Sequence, residues 1–281
     1  VPSLEPILPH VPGFLVVLAR LTGLFVFSPI IASAMIPKRI KALLALGLAL
    51  SVYPTIDQSA FANLEPNLFA LAPLMAMELL IGVAVGVLML TPLWGVQLAG
   101  TFMGQQMGLS LAPIFNPATD IESDSLGQLL FVMALSVFIM MGGVEAMWDC
   151  VVRSYALVGP GAFRADQRLL ETFVGLLSAG FHLAMRVSMP VMAIVLVETV
   201  AVGFITKSLP TLNFMSVGFP IRIVLGLLAL TAGLAGIHTA VRGDVRATID
   251  IIGEWVDELG PAREHTAAST AVEAGAGVAH G

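Results

Sequence analysis

Six apolar blocks follow one another along the chain, at 14–36, 42–56, 68–93, 126–148, 169–205 and 217–237. Segments this apolar offer their backbone little water, so each must satisfy its own N–H and C=O groups. A helix does so internally, whereas an open strand edge does not. The pattern predicts an all-α membrane protein of about six apolar helical blocks, some of them kinked hairpins. A spanning helix needs ~20 residues, so the second block is short and the fifth is too long for one span without a break near Pro190. Composition supports this class. Hydrophobic residues make up 57% of the 281 and charged residues 11%, against about 25% charge in a soluble domain. Too few charges remain to coat a globule of this size.

Several function classes are excluded on the same page. The net charge of −6 is scattered, which argues against nucleic acid as a partner. One cysteine, Cys150, rules out an internal disulfide and a cysteine-rich metal site, and it reads as a small buried residue. The histidines are dispersed, with no HExxH, P-loop, nucleophile elbow or Gly-rich dinucleotide turn. The sequence therefore predicts no enzyme, no cofactor and no metal site. Arg20, the first basic residue, lies within the first apolar block, so no cleavable signal peptide is expected. The opening VPSLEPILPHVPG should be extended or partly helical. The Ala/Gly/Ser-rich stretch 261–281 lacks apolar periodicity and is predicted to be disordered, leaving 1–260 as a single helical domain.

Between the third and fourth blocks lies GTFMGQQMGLSLAPIFNP, Gly100 to Pro117. Gly100, Gly104 and Gly108 recur every four residues and form a smooth stripe where another backbone can approach, as Gly82 and Gly86 do earlier. Gln97, Thr101 and Gln105 repeat at the same interval on a neighbouring face. Pro113 and Pro117 stop any helix and place Phe115 and Asn116 on a loop. Irregular backbone at membrane depth survives only inside protein or against a watery cavity. The region 97–111 reads as a possible seventh helix.

Charge placement gives no clean topology. Lys38, Arg39 and Lys41 mark the first loop as cytoplasmic, and Asp57 and Glu65 suit an outer second loop. Six simple spans then put Arg153, Arg164 and Arg168 outside. A crossing at 97–111 returns them inside but leaves Lys207 outside. Either some blocks are not ordinary spans, or other subunits bury them. Arg20, Glu78, Arg186, Glu198 and Arg222 lie within or beside apolar blocks without visible pairing, and read first as subunit contacts or water-lined surface. At the C-terminal end Val241, Val245, Ile249, Ile252, Val256 and Leu259 form an amphipathic stripe. Its acidic opposite face disfavours anionic lipid, so the stripe is expected to pack on a partner protein.

Three segments in order resemble the FliR family of flagellar export-gate proteins and its virulence counterpart, the SctT family. SPIIASAMIPKRIKALLALGLAL (28–50) resembles the family's proline-containing first helix and Pro-Lys-Arg turn. GQQMGLSLAPIFNPATD (104–120) is similar to its Gln-Met-Gly-Leu-Ser segment with an aromatic-x-Pro loop, although Asn116 stands where an acidic residue can precede the proline. SVGFPIRI (216–223) resembles its Gly-Phe-Pro helix entry. The likeness extends from about residue 14 to 259.

The resemblance implies a helical hetero-oligomeric export-gate assembly at the flagellar basal body in the bacterial inner membrane. Its implied partners are the P- and Q-type subunits (FliP, FliQ), the larger gate proteins (FlhA, FlhB), unfolded secreted substrates and membrane lipid. Much apolar surface would be buried between subunits, which would account for the failed topology count. It further implies a pore-plug loop at about 104–126, with Met103, Gln106, Met107, Leu111, Phe115 and Pro117 as gate residues. Gly82, Gly86, Gly100, Gly104 and Gly108 would serve helix packing, while Lys38, Arg39 and Lys41 would set orientation or touch cytoplasmic partners. A closed gate needs an apolar constriction on a movable loop, which Phe115, Ile114 and Leu111 would supply. The alternatives are an injectisome gate subunit, a proton-coupled small-solute transporter using Glu78 or Glu198, and a purely structural assembly factor.

Overall fold

The computed structural model describes residues 8–31, 36–56, 61, 67–109, 124–159, 167–208 and 214–258. Seven α-helices and two short 3-10 turns account for nearly all of them, and no strand occurs among the described residues. The helices are α1 (Val11–Phe27), α2 (Lys38–Val52), α3 (Leu68–Met107), α4 (Ser125–Met140), α5 (Gly143–Leu157), α6 (Gln167–Ser208) and α7 (Phe214–Glu258). The chain is an all-α membrane protein. Three of its helices, α3, α6 and α7, are long and apolar enough to cross a bilayer, and α4 with α5 makes a fourth if that bent pair counts as one span.

Two expected breaks are not breaks. The third block and the region 97–107 form one continuous helix of 40 residues through Pro73 and Pro92, so no separate seventh helix begins there. The fifth block passes straight through Pro190 as part of a 42-residue helix. An interior proline removes one hydrogen bond and crowds the preceding turn, at a cost of ~3 kcal/mol, and packing of the apolar faces outweighs that. The actual break falls inside the fourth block. There Gly142, at φ 75°, ends α4 and caps α5, and the two helices bend by 64°.

Helix α3 is the hub, touching α1, α4, α5, α6 and α7. Its buried face holds Ile81, Val85, Leu88, Met89, Leu93, Val96, Ala99, Met103 and Met107. Where it crosses other helices the contact is between backbones. A methyl group on Gly82 would land on the Arg20 carbonyl and one on Gly23 would land on that of Leu79, so α1 and α3 touch reciprocally. At Gly86 the Leu24 carbonyl oxygen would be 3.0 Å away, and at Gly95 the Gly180 oxygen of α6 would be 2.6 Å away. Small residues permit this closeness, and the gain is dispersion contact along both helices.

The five charges in apolar blocks are paired within the chain; for Arg20, Glu78 and Glu198, which are buried, this corrects the expectation that they face subunits or water, whereas Arg186 remains exposed. Arg20 and Glu78 are both fully buried, with Nε donating to Oε2 at 2.6 Å. Arg222 Nε lies 3.1 Å from Glu198 Oε2, and Arg186 lies 3.1 Å from Asp244. The C-terminal amphipathic stripe is also covered internally. Val241, Val245, Ile252 and Val256 are wholly buried by the chain's own helices and Ile249 is half-buried, so this part of the stripe is core, while Leu259 lies outside the described residues. Elsewhere Tyr53 joins α2 to the N-terminal end, its hydroxyl 3.1 Å from His10 Nδ1 and its ring beside Phe14 and Phe61. Burial raises the Tyr53 phenol above its ordinary pKa, so it stays protonated.

Candidate functional site

Residues 110–123, which hold most of the expected loop, lie outside the described residues, and the described residues on both sides of them meet at one place. Helix α3 stops at Gly108, whose φ of 79° puts it in the left-handed region that closes a helix end. Its amide bonds back to the Gln105 carbonyl at 3.0 Å. On the far side Asp124 caps α4, its Oδ1 accepting from the Gly127 amide at 3.2 Å.

The two flanks are tied together. The Thr101 hydroxyl lies 2.8 Å from Asp124 Oδ2 and 3.1 Å from the Gln97 carbonyl. It has one proton to give, and the carboxylate is the closer and stronger acceptor. One turn away, a side chain at Gly100 would meet the Gly127 backbone, with its amide nitrogen at 2.8 Å. Gly104 faces Leu126 at ordinary contact distance, 3.7 Å. Thus α3 and α4 meet backbone to backbone near the end of α3 and the start of α4.

Helix α7 closes the third side. A methyl group at Gly108 would come within 2.5 Å of the Phe219 ring, and one at Gly226 would meet Met107 at 2.5 Å from Cε and 2.9 Å from Sδ. Met107 therefore fills a notch that α7 leaves at Gly226. Met103, a turn earlier, is also fully buried. Thioethers suit such irregular gaps.

The residues expected from the sequence separate into three groups. Met103 and Met107 lie in the core near the end of α3, and Gln106 is exposed. Leu111, Phe115 and Pro117 lie outside the described residues, as does 261–281. Within the expected 104–126 segment, residues 104–107 and 125–126 are helical. Lys38 and Arg39 are exposed and Lys41 is half-buried, all on the first turn of α2 and far along the chain from the loop base. No group of three or more His, Cys, Asp or Glu is placed to hold a metal among the described residues.

Asp124 is not among the residues singled out from the sequence. An aspartate directly before an apolar helical run is itself a start signal, and that would have found it. Phe219 was read only as part of the Gly-Phe-Pro helix entry and Gly226 carried no local signal, because their contacts depend on where α7 returns.

A family model described as Bacterial export proteins, family 1, matches residues 11–247, from α1 through most of α7 and across the loop base. The chain is 27% identical over 242 residues to the flagellar biosynthetic protein FliR of Bacillus subtilis, covering 85% of this chain and 92% of that one. It is 29% identical over 220 residues to FliR of Escherichia coli, covering 76% and 81%. With the surface presentation of antigens protein SpaR of Salmonella typhimurium it shares 25% identity over 213 residues, covering 75% and 79%.

Proposed function

The chain belongs to family 1 of the bacterial export proteins, and from that premise we propose that it closes the pore of a flagellar type III export gate in the inner membrane. It is a subunit of a type III export apparatus. In this reading it assembles with P- and Q-type subunits (FliP, FliQ) beside the larger gate proteins (FlhA, FlhB). The loop at about 104–126 is the closing element, with Leu111, Phe115 and Pro117 as its apolar bulk. Met103 and Met107 act from below, seating the loop on the core, and Gln106 stands at its edge.

The observation that carries this reading is the shared base. Thr101–Asp124, Gly100–Gly127, Gly108–Phe219 and Met107–Gly226 fix both ends of one loop at one place on three helices. A plug must seal reproducibly yet yield to a passing chain, which calls for a fixed mount and a separate movable part. The transporter reading loses ground, because residues 97–107 form unbroken helix and Glu78 and Glu198 are each paired with an arginine. Flagellar relatives align over more of this chain than the Salmonella SpaR protein at slightly higher identity, which favours the flagellar machine over an injectisome.

The test is conductance of the resting gate in cells. Phe115→Gly should raise ion leak while the assembled complex is still recovered, and an unchanged conductance sinks the plug assignment. Shortening the loop between Leu111 and Asp124 separates gating from scaffolding, since a purely structural subunit would leave both leak and export unchanged.

A further inference from the structure

Between α1 and α2 runs a groove of about 610 Å³, within the range usual for small-molecule sites, roughly 300–1,000 Å³. Its walls are Leu18, Phe25 and Val26 from α1 and Leu43, Ala45 and Leu46 from α2. Thr22 also lines it, but its hydroxyl turns back onto the Leu18 carbonyl at 2.7 Å, so the groove remains apolar there. At one end stand Lys38 and Lys41, and neither has an acidic partner among the described residues.

We propose that this groove binds one anionic phospholipid, with an acyl chain along the apolar walls and the phosphate on Lys38 and Lys41. The inference rests on the membrane reading of the chain and not on the plug. Charge complementarity selects the occupant. An apolar slot ending in two unneutralised ammonium groups matches an amphiphile carrying one phosphate, and basic pockets between membrane helices on the cytoplasmic side are recurrent anionic-headgroup sites. An apolar helix from a neighbouring subunit would fill the slot and leave both lysines unanswered. A zwitterionic lipid would bring its own cation to the same end.

The charge pattern of α2 adds a second reason. Its first turn carries Lys38, Arg39 and Lys41, contains no acidic residue, and has Pro37 before it without a side-chain cap. Cations at the positive end of a helix dipole are unfavourable, and a bound phosphate reverses the sign of that interaction. Arg39 is exposed beside the groove mouth and reinforces the local field without lining the slot.

The experiment is native mass spectrometry of the full chain, extracted from its own membrane in mild detergent with the subunits it retains. It is exchanged into mixed micelles containing either a phosphatidylglycerol or a phosphatidylcholine of matched chains. Two lysine–phosphate contacts of ordinary strength correspond to a roughly thirtyfold preference for the anionic lipid. We expect that preference in the wild type and its loss in K38Q/K41Q. Ala42 also lines the slot, and is exposed, so Ala42→Trp should abolish retention of both lipids while leaving the lysines in place. Equal retention of the two lipids, an unchanged preference in K38Q/K41Q, or exclusion of both lipids by a retained subunit would overturn the proposal. A chain that alkaline carbonate strips from the membrane would overturn the membrane reading instead, so the two failures are distinguishable.

Discussion

Arg20 and Glu78 offer the sharpest test of how this fold is held together. Both side chains are fully buried, and the arginine, on α1, reaches α3 and α5 with its C-cap. Its Nε meets Glu78 on α3 at 2.6 Å, one terminal nitrogen donates to Ser154 Oγ on α5 at 2.9 Å, and the other reaches the Val158 carbonyl at 3.4 Å. The guanidinium also lies over the Tyr155 ring, 4.3 Å from its centroid, and the Tyr155 hydroxyl donates back to the Val17 carbonyl at 2.8 Å. Removing one charge strands the other in an apolar interior. Glu78→Leu leaves a guanidinium whose remaining acceptors are neutral, and Arg20→Met leaves the carboxylate without its arginine. Each should cost about 3–5 kcal/mol, whereas replacing both partners by apolar residues of similar volume should cost little.

Cys150 makes this measurable. It is the only cysteine in the chain, it is 2% exposed, and it lies on α5 one turn before Ser154. Heating the purified protein with a thiol-reactive fluorogenic maleimide therefore reports the opening of the element that Arg20 clamps. A domain of this size shifts by ~2–4 °C per kcal/mol, so each single variant should melt about 6–20 °C lower. The double variant R20M/E78L should melt above both single variants. If its loss equals the sum of theirs, the two residues act independently and the account of a coupled buried pair is wrong.

Four further outcomes, three from backbone geometry and one from a helix cap, are read by the same thermal assay. Gly95→Ala puts a methyl group 2.6 Å from the Gly180 oxygen and should cost ~1–3 kcal/mol by forcing α3 and α6 apart. Gly47→Ala on the exposed face of α2 meets nothing within 4 Å and should instead stabilise by roughly 0.5–1 kcal/mol. Gly108→Ala combines a φ of 79° with the Phe219 ring and should lose at least ~1–2 kcal/mol; a neutral result would mean that α3 ends differently. Asp124→Ala should cost about 0.5–2 kcal/mol through the lost cap while Asp124→Asn keeps it; equal losses in both variants would place the effect in the bond to Thr101.

What could be read in advance was whatever depends on near neighbours along the chain. Apolar blocks forced helices, and a lone cysteine in apolar surroundings was buried. The glycines at positions 82, 86 and 100 do lie where backbones meet, because a missing side chain has the same consequence whatever helix arrives. Helix breaks were read less well. Pro92 and Pro190 are strong local signals, yet the helices run through them, since 40 and 42 residues of continuous packing outweigh one lost hydrogen bond. Gly142, a weaker signal, is where the chain bends, because it alone there reaches positive φ. The charges were illegible for a different reason. Arg20 is 58 positions from Glu78 and 134 from Ser154, and no periodicity spans such separations.

That pairing changes how the outer surface is to be understood. Charges read as facing water or partners would have given α6 and α7 a mixed exterior. Instead Glu198 turns inward to Arg222, although its Oε1 stays buried without a partner, and the arginine also donates to Thr199 at 2.9 Å. With Glu198 and Arg222 drawn toward the α6–α7 interface, this part of the two helices presents Leu196, Val197 and Phe204, which are 65–70% exposed, with Met189, Val224 and Leu228. Each such side chain gains about 1.5–3 kcal/mol when removed from water, so the isolated chain is far from its favoured environment. Lipid or apolar helices must cover this face. Glu198 and Arg222 are already paired with each other, so covering this patch requires no matching charge for either.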